Sequence, residues 1–196
     1  SKPHVIEFQA SSPDESALVS AASDFGYVFK KKSRNILTIE VNGIEREVEL
    51  LANLEFTSER KRSSVILKFK GKNNSGDIQM SSSHFIDIDD DRNDKIVLFS
   101  KGADDLIYKR LSPYSNYLDD TNSHMSEFAD SGLRTLCCAY KVIDPMFFKD
   151  WINRYHEAIC SIDNRDEMID QVSNEIETDL ILIGATAIED KLQDGV

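Results

Sequence analysis

Cysteine is scarce in this chain of 196 residues, which contains only Cys137, Cys138 and Cys160. An odd number of cysteines without a C-x-x-C spacing argues against a disulfide framework and against a structural zinc site. The four histidines are scattered and form no H-E-x-x-H motif, so none is assigned as a metal ligand. We therefore expect a protein of a reducing compartment that contributes no metal site of its own.

Positive charge is also in short supply, because 23 lysines and arginines stand against 35 aspartates and glutamates. The resulting formal charge of −12 repels phosphates and anionic membrane surfaces, which argues against nucleic-acid binding. A polyphosphate site would need cations concentrated locally. The run Arg60-Lys61-Arg62 is where the sequence concentrates them.

Long apolar runs are missing as well. The longest, Leu180 to Ile188, is too short to cross a bilayer and is typical of a buried strand. With 40% hydrophobic residues, the chain has enough apolar material for one continuous core but is short for two full domains. We expect a soluble, monomeric, single domain over residues 1–196, with a polar loop insertion at about 71–94.

The common phosphate-binding and nucleophile motifs do not occur, since there is no Walker A sequence, no G-x-G-x-x-G and no G-x-S-x-G. The acidic stretch from Asp87 to Asp91 suggests a calcium loop, but Arg92 replaces the required glycine and Leu98 the required glutamate. A solvated acidic loop is the better interpretation. Nucleotide binding would have to combine an aromatic ring for stacking, a cation for phosphate and a carboxylate for the base.

Hydrophobic periodicity predicts an irregular alternation of helices and strands. Ser12 to Glu15 has the form of a helix start with a capping box, Gly26 ends that helix, and Asn42-Gly43 predicts a hairpin turn. Later helices are predicted at about 104–111, at 123–130, from Pro145 through Tyr155, and at about 166–176. An extended start at Val5–Phe8 precedes strands predicted at Tyr27–Lys30, Ile36–Val41, Ile44–Leu50, Leu54–Thr57, Val65–Phe69, Ile96–Phe99, Leu136–Val142 and from Leu180. This order favours an α+β fold, with a mainly antiparallel twisted sheet flanked by helices, over a doubly wound parallel sheet.

Five motifs are spread along nearly the whole chain. They are Ser12–Val19 (S-P-D-E-S-A-L-V), Glu55–Ile66 (E-F-T-S-E-R-K-R-S-S-V-I), Lys101–Asp104 (K-G-A-D), Gly132–Leu136 (G-L-R-T-L) and Ile188–Gln193 (I-E-D-K-L-Q). Together, and in this order, they resemble the nucleotide-binding domain of P-type ATPases. The second and fifth motifs are similar to the type-IV branch, the phospholipid flippases. Ser63 departs from that branch, which commonly has methionine there, and this affects only local packing.

The resemblance assigns seven residues to an ATP pocket: Glu15, Phe56, Ser58, Lys61, Lys101, Arg134 and Thr135. It implies that Phe56 stacks on adenine and that Glu15 lies near the adenine amino group. It also implies that Lys101 closes the bottom of the pocket and that Arg134 pairs with the phosphate or ribose edge.

Simpler interpretations exist for the same residues. An aromatic strand residue such as Phe56 is ordinarily buried core, and Arg60-Lys61-Arg62 alone would be a solvated basic turn. The capping box is sufficient to explain Glu15. The K-G-A sequence is also typical of a strand end and turn, in which Gly102 permits a close backbone approach.

The resemblance implies a domain that binds ATP and presents the γ-phosphate to an aspartate elsewhere in a parent protein. The chain has neither the D-K-T-G-T sequence with that aspartate nor a T-G-D segment, so we expect no catalytic residues and no hydrolysis. The parent would be a multi-pass membrane protein that moves phospholipid between leaflets, with this domain on the cytoplasmic side. The partners of this domain would be the phosphorylation and actuator domains of the parent. Mg²⁺ would be held mainly outside this chain, and the resemblance leaves open whether the parent has an accessory subunit.

Other functions stay open at this point. One is the nucleotide domain of an ion-pumping P-type ATPase, against which R-K-R-S-S-V-I and I-E-D-K-L-Q count. Another is an acidic protein-interaction module that has kept the fold and lost ATP. A soluble phosphotransferase is disfavoured because no nucleophile motif is present.

Overall fold

The computed structural model describes residues 12–71 and 94–189. The strands in these ranges are β1 (Tyr27–Ser33), β2 (Ile36–Val41), β3 (Ile44–Leu54), β4 (Arg62–Phe69), β5 (Lys95–Gly102), β6 (Arg134–Ile143) and β7 (Ile181–Ile188). The helices are α1 (Pro13–Asp24), α2 (Asp104–Tyr108), α3 (Leu118–Asp130), α4 (Pro145–Cys160) and α5 (Arg165–Ile176). The chain divides into two compact units, Ser1–Glu49 and Leu50–Val196. The prediction of a single domain stays a prediction.

The first unit contains α1, β1, β2 and most of β3. The predicted helix start is confirmed, because the Ser12 hydroxyl accepts a hydrogen bond from the Glu15 amide at 3.2 Å and Pro13 lies in the first turn. Gly26, with φ of +87°, follows the end of α1 in the left-handed region. The predicted hairpin turn is also confirmed: Asn42 and Gly43 have φ of 51° and 84°, and β2 pairs antiparallel with β3 on either side of them.

The second unit is built on consecutive antiparallel pairing. β4 pairs with β5, β5 with β6, and β6 with β7, each antiparallel. The strand order through the seven-stranded sheet is β1-β2-β3-β4-β5-β6-β7, and β3 has residues in both units. The predicted α+β fold with a mainly antiparallel sheet flanked by helices is therefore confirmed.

The core of the second unit lies between this sheet and the helices. On α4, the rings of Phe148, Trp151 and Tyr155 stack in sequence, with centroid distances of 5.8 and 4.9 Å. Trp151 is fully buried, and its indole nitrogen donates to the Val172 carbonyl oxygen on α5 at 2.9 Å. The helical spacing predicted from Pro145 through Tyr155 therefore faces the core.

Several predicted boundaries are wrong. β3 continues to Leu54 because Ala52 and Leu54 extend the alternation of buried residues begun by Val48, and residues 55–61 form a loop instead of a strand. Helix α2 is shorter than predicted, and α3 begins at Leu118, five residues before the predicted start at 123. The predictions for Val5–Phe8, for the acidic stretch 87–91 and for most of the 71–94 insertion lie outside the described residues.

None of the helices in the two described ranges combines the length and the apolar character that a membrane crossing requires.

Candidate functional site

Phe56 lies just beyond the end of β3, on the loop Glu55–Lys61, which we call the 55–61 loop. Its side chain is 63% exposed, so the interpretation of Phe56 as a core residue is wrong. The physical reason is the position of the strand end: β3 stops at Leu54, and the ring two residues later has no sheet neighbour to cover it. An exposed phenylalanine on a loop is available for stacking against a flat ligand.

The 55–61 loop is closed by a tight turn. The Lys61 amide donates to the Thr57 carbonyl oxygen at 2.8 Å, and the Arg60 amide donates to the Thr57 hydroxyl at 3.1 Å. Lys61 itself has φ of 46°, in the left-handed region that non-glycine residues rarely occupy. Such a conformation costs about 1 kcal/mol and persists where surrounding bonds hold it. The turn therefore sets the direction of the Lys61 side chain.

A cleft of about 410 Å³ opens beside this loop. Its lining residues are Phe56, Ser58, Lys61, Ala103, Thr135 and Leu136. The structure thus brings together four of the seven predicted site residues, from two separate motifs. Ala103 and Leu136 were missed, although Ala103 follows Lys101 by two residues in the K-G-A-D motif and Leu136 adjoins Thr135 in the G-L-R-T-L motif. The size is within the range of small-molecule sites, roughly 300–1,000 Å³.

Gly102 explains why Ala103 reaches the cleft. A Cβ atom at Gly102 would lie 2.5 Å from the Arg62 Cβ and 2.6 Å from the Lys61 carbonyl oxygen. The absence of a side chain lets the end of β5 approach the start of β4 closely, and the Ala103 amide then donates to the Lys61 carbonyl oxygen at 3.1 Å. The backbone at Gly102 therefore packs closely against the backbone of Lys61 and Arg62, which is the close approach that this glycine permits.

Lys101 and Arg134 adjoin the cleft on the same sheet face as Leu136. Lys101 pairs with Cys138 across β5 and β6, and Arg134, Leu136 and Cys138 follow one another at intervals of two along β6. Burial raises the pKa of the Cys138 thiol, and the nearby Lys101 ammonium acts in the opposite direction. Neither cation is among the residues that line the 410 Å³ cleft.

Glu15 belongs to the first unit, in the first turn of α1. Its backbone amide makes the capping bond to the Ser12 hydroxyl, which confirms the helix cap, while the capping-box role of the Glu15 carboxylate stays a prediction. The role of its carboxylate near an adenine amino group stays a prediction.

The basic run 60–62 is not a solvated turn, which corrects the interpretation drawn from charge alone. Arg60 and Arg62 are only 5% and 2% exposed, and both bind the fully buried carboxylate of Glu177. Lys61 alone of the three lines the cleft. The basic run therefore contributes a single cation to the cleft, and Lys101 and Arg134 adjoin the cleft from β5 and β6.

A second cavity, of about 710 Å³, is lined by residues of the 55–61 loop and of helices α4 and α5. It is larger than the first, but its charged lining is Arg60 and Arg165 against four carboxylates: Glu55, Glu59, Asp166 and Asp170. An excess of negative charge disfavours a polyphosphate. We therefore place the candidate nucleotide site in the smaller cleft. The described residues contain no group of three or more His, Cys, Asp or Glu side chains arranged to hold a metal ion.

Comparison with known proteins gives a consistent match over the chain. A family model described as "P-type ATPase, cytoplasmic domain N" matches residues 7–195. Phospholipid-transporting ATPase IC of Xenopus tropicalis is 43% identical over 189 residues, which is 96% of this chain and 13% of that protein. The Homo sapiens protein of the same name is 42% identical over 97% of the chain and 14% of its own length. Phospholipid-transporting ATPase DNF2 of Saccharomyces cerevisiae is 41% identical over 99% of the chain and 11% of its own length. The chain thus spans about one eighth of the length of these curated relatives.

Proposed function

Since this chain belongs to the P-type ATPase family, as its cytoplasmic domain N, and has phospholipid-transporting ATPases as relatives, we propose that it binds ATP in the cleft beside the 55–61 loop. In the parent protein, on the cytoplasmic side of a membrane, the domain presents the γ-phosphate to an aspartate of the phosphorylation domain. That transfer drives the movement of phospholipid between leaflets. The contribution of this chain to the reaction is positioning.

The observation that carries the proposal is the exposed Phe56 ring at the edge of a cleft that also contains Lys61. The ring offers a flat apolar surface for adenine, and Lys61 offers a cation for phosphate. The hydroxyls of Ser58 and Thr135 supply hydrogen-bonding groups in the same cleft. Together these side chains supply the aromatic face, the cation and the hydroxyls that binding of a purine nucleotide requires.

The relatives favour the lipid branch over the ion-pumping branch. Each is named a phospholipid-transporting ATPase and is 41–43% identical over nearly the whole chain. Arg134 and Lys101 are proposed to contact the ribose or phosphates from the adjoining sheet face, and Glu15 to approach the adenine amino group. Mg²⁺ is held mainly by groups of the parent outside this chain, and the phosphorylation and actuator domains are the partners.

The test is a calorimetric titration of ATP into the chain and into its Phe56→Ala variant. We expect a dissociation constant in the millimolar to high micromolar range, about 4–6 kcal/mol, with little dependence on Mg²⁺, because part of the phosphate contact belongs to other domains. Loss of stacking, about 1–3 kcal/mol, is expected to weaken binding by about 5- to 150-fold. Tyr114→Ala is the matched control, because Tyr114 is 85% exposed and outside the cleft.

Two results would contradict the proposal. Absence of binding at several millimolar ATP by a folded sample would favour a protein-interaction module that has kept the fold alone. Nanomolar binding would show that the isolated chain holds the phosphates completely, against the shared site proposed here.

A further inference from the structure

We propose that Glu177, just after α5, is a positioning residue that holds the 55–61 loop in the geometry that binds ATP. The inference rests on the proposed function and extends it to a residue about 115 positions away in sequence from the loop it controls. Glu177 lines neither the cleft nor the second cavity. It acts through the two arginines that flank Lys61.

The Glu177 carboxylate is fully buried and surrounded by donors. One oxygen accepts from the Arg60 guanidinium at 2.5 Å and from the Ser64 hydroxyl at 2.6 Å. The other accepts from the Arg62 Nε at 2.7 Å and lies 2.6 Å from its Nη2. A buried charge is tolerated only when it is paired and hydrogen-bonded, and this one meets both conditions.

The same two arginines tie down the backbone of the loop. The Arg60 Nη1 donates to the Glu55 carbonyl oxygen at 2.9 Å, which fixes the residue before Phe56. The Arg62 Nη1 donates to the Arg60 carbonyl oxygen at 3.1 Å, which fixes the residue before Lys61. Glu177 therefore holds both ends of the loop through one guanidinium each.

The direction of Lys61 depends on this arrangement. Arg60 and Arg62 turn their side chains inward to Glu177, while Lys61, between them and in the left-handed conformation, reaches the cleft. If the Glu177 carboxylate is removed, the two guanidinium groups lose their buried acceptor and must hydrogen-bond to water or to another group. The turn that contains Lys61 is then no longer held in place.

Other charges near the cluster make Glu177 hard to replace. Arg110 joins the arginines, because its Nη2 and that of Arg62 both donate to the Asn174 amide oxygen, at 2.7 and 2.6 Å. Burial, followed by repulsion from Arg62, lowers the pKa of Arg110. Asp170 lies 3.5 Å from the Arg60 Nε but is 44% exposed. Among the acidic residues that the structure describes, Glu177 alone is buried, so it supplies the compensating charge inside the cluster.

The experiment compares Glu177→Gln with Val172→Ala. Val172 is buried on α5, so its truncation destabilises the same helix without touching the contacts of the loop. Amide chemical shifts are recorded without nucleotide, and ATP is titrated well below the melting temperature of each variant. For Glu177→Gln we expect displaced or broadened amides at Phe56, Ser58 and Lys61, with ATP affinity reduced about tenfold. For Val172→Ala we expect a lower melting temperature, unchanged loop amides and an affinity for ATP within twofold of that of the unsubstituted chain.

The proposal is overturned if folded Glu177→Gln keeps its loop amides in place or binds ATP as Val172→Ala does. If Glu177→Gln does not fold, Arg60→Lys replaces it, because a lysine ammonium keeps the charge but cannot bridge Glu177 and the Glu55 carbonyl together. The same loop shifts and loss of affinity are then expected. Failure of the unsubstituted chain to bind ATP would refute the proposed function. The amide chemical shifts recorded without nucleotide test the positioning of the loop independently of that result.

Discussion

Lys61 occupies a conformation that few lysines adopt, and the structure shows what maintains it. Its φ of 46° is stabilised by the Thr57 carbonyl on one side and by the Ala103 amide on the other. Its neighbours Arg60 and Arg62 are buried, so three adjacent cations have two different roles. The arginines hold the loop, and the lysine contributes charge to the cleft.

Replacing Lys61 with methionine removes this charge while keeping most of the side-chain length. We expect the affinity for ATP to fall roughly 5- to 10-fold, because one cation near a phosphate contributes on the order of 1 kcal/mol in a solvent-exposed site. Binding of adenosine, which has no phosphate, is expected to stay unchanged. Calorimetric titration of both ligands at low and high salt measures the difference, which shrinks as salt screens the charge.

Lys109→Met is the control for that measurement, because Lys109 is 69% exposed and lies outside the cleft. The affinity of Lys109→Met for ATP should equal that of the unsubstituted chain. Equal losses for ATP and adenosine in Lys61→Met would show that the variant distorts the turn, and would refute a charge role for this lysine.

At the scale of elements, the junction of β4 and β5 places the cleft. Gly102 pairs with Arg62 across the two strands, and it has no side chain because the Arg62 Cβ and the Lys61 carbonyl occupy that space. The next residue, Ala103, lines the cleft and precedes α2. The glycine of the K-G-A-D motif therefore serves strand packing, and through it the shape of the site.

Gly102→Ala is expected to destabilise the protein by about 3 kcal/mol, since the added methyl group meets backbone and Cβ atoms that cannot move aside easily. Chemical denaturation monitored by circular dichroism measures the loss. Gly132→Ala is the matched control in the same unit: it has φ of +72° but open space around the added atom, so only backbone strain of about 1 kcal/mol is expected. A Gly102→Ala variant no less stable than Gly132→Ala would contradict the close packing described here.

At the scale of the whole molecule, several weak acids are held neutral by burial. Desolvation raises the pKa of the thiols of Cys137 and Cys138 above the ordinary 9.0, and it raises those of the Tyr108 and Tyr155 hydroxyls above the ordinary 10.0. Above these ordinary values the unfolded chain loses protons that the folded protein keeps. The contribution of these groups to the free energy of unfolding is therefore fully present below about pH 9, and it is lost as the pH rises through their raised pKa values.

We therefore predict that titration of these groups changes the free energy of unfolding little between pH 7 and 8. Above pH 9 it should lower the free energy of unfolding progressively. Guanidinium denaturation at a series of pH values measures it. In a Cys137→Ala, Cys138→Ala double variant the decline should begin later, near the ordinary pKa of tyrosine at 10.0. An identical pH profile in the double variant would exclude the thiols as the cause.

The sequence by itself determined the order of the elements and the family, and it predicted four of the residues that line the candidate cleft. The Ser12 cap, the Asn42-Gly43 turn and the apolar face of α4 depend on residues close together in the chain, so local patterns were sufficient to predict them. The motifs also identified Phe56, Ser58, Lys61 and Thr135, which the structure places in one cleft.

Only the tertiary structure decided which of these residues are buried. Nothing local marks Phe56 as exposed, because its exposure depends on where β3 ends. Nothing local distinguishes Lys61 from Arg60 and Arg62 either, since the partner of the two arginines, Glu177, lies more than 110 residues away and reaches them only in the folded chain. Burial and charge pairing are properties of neighbours in space, and for this site the decisive neighbours are remote in sequence.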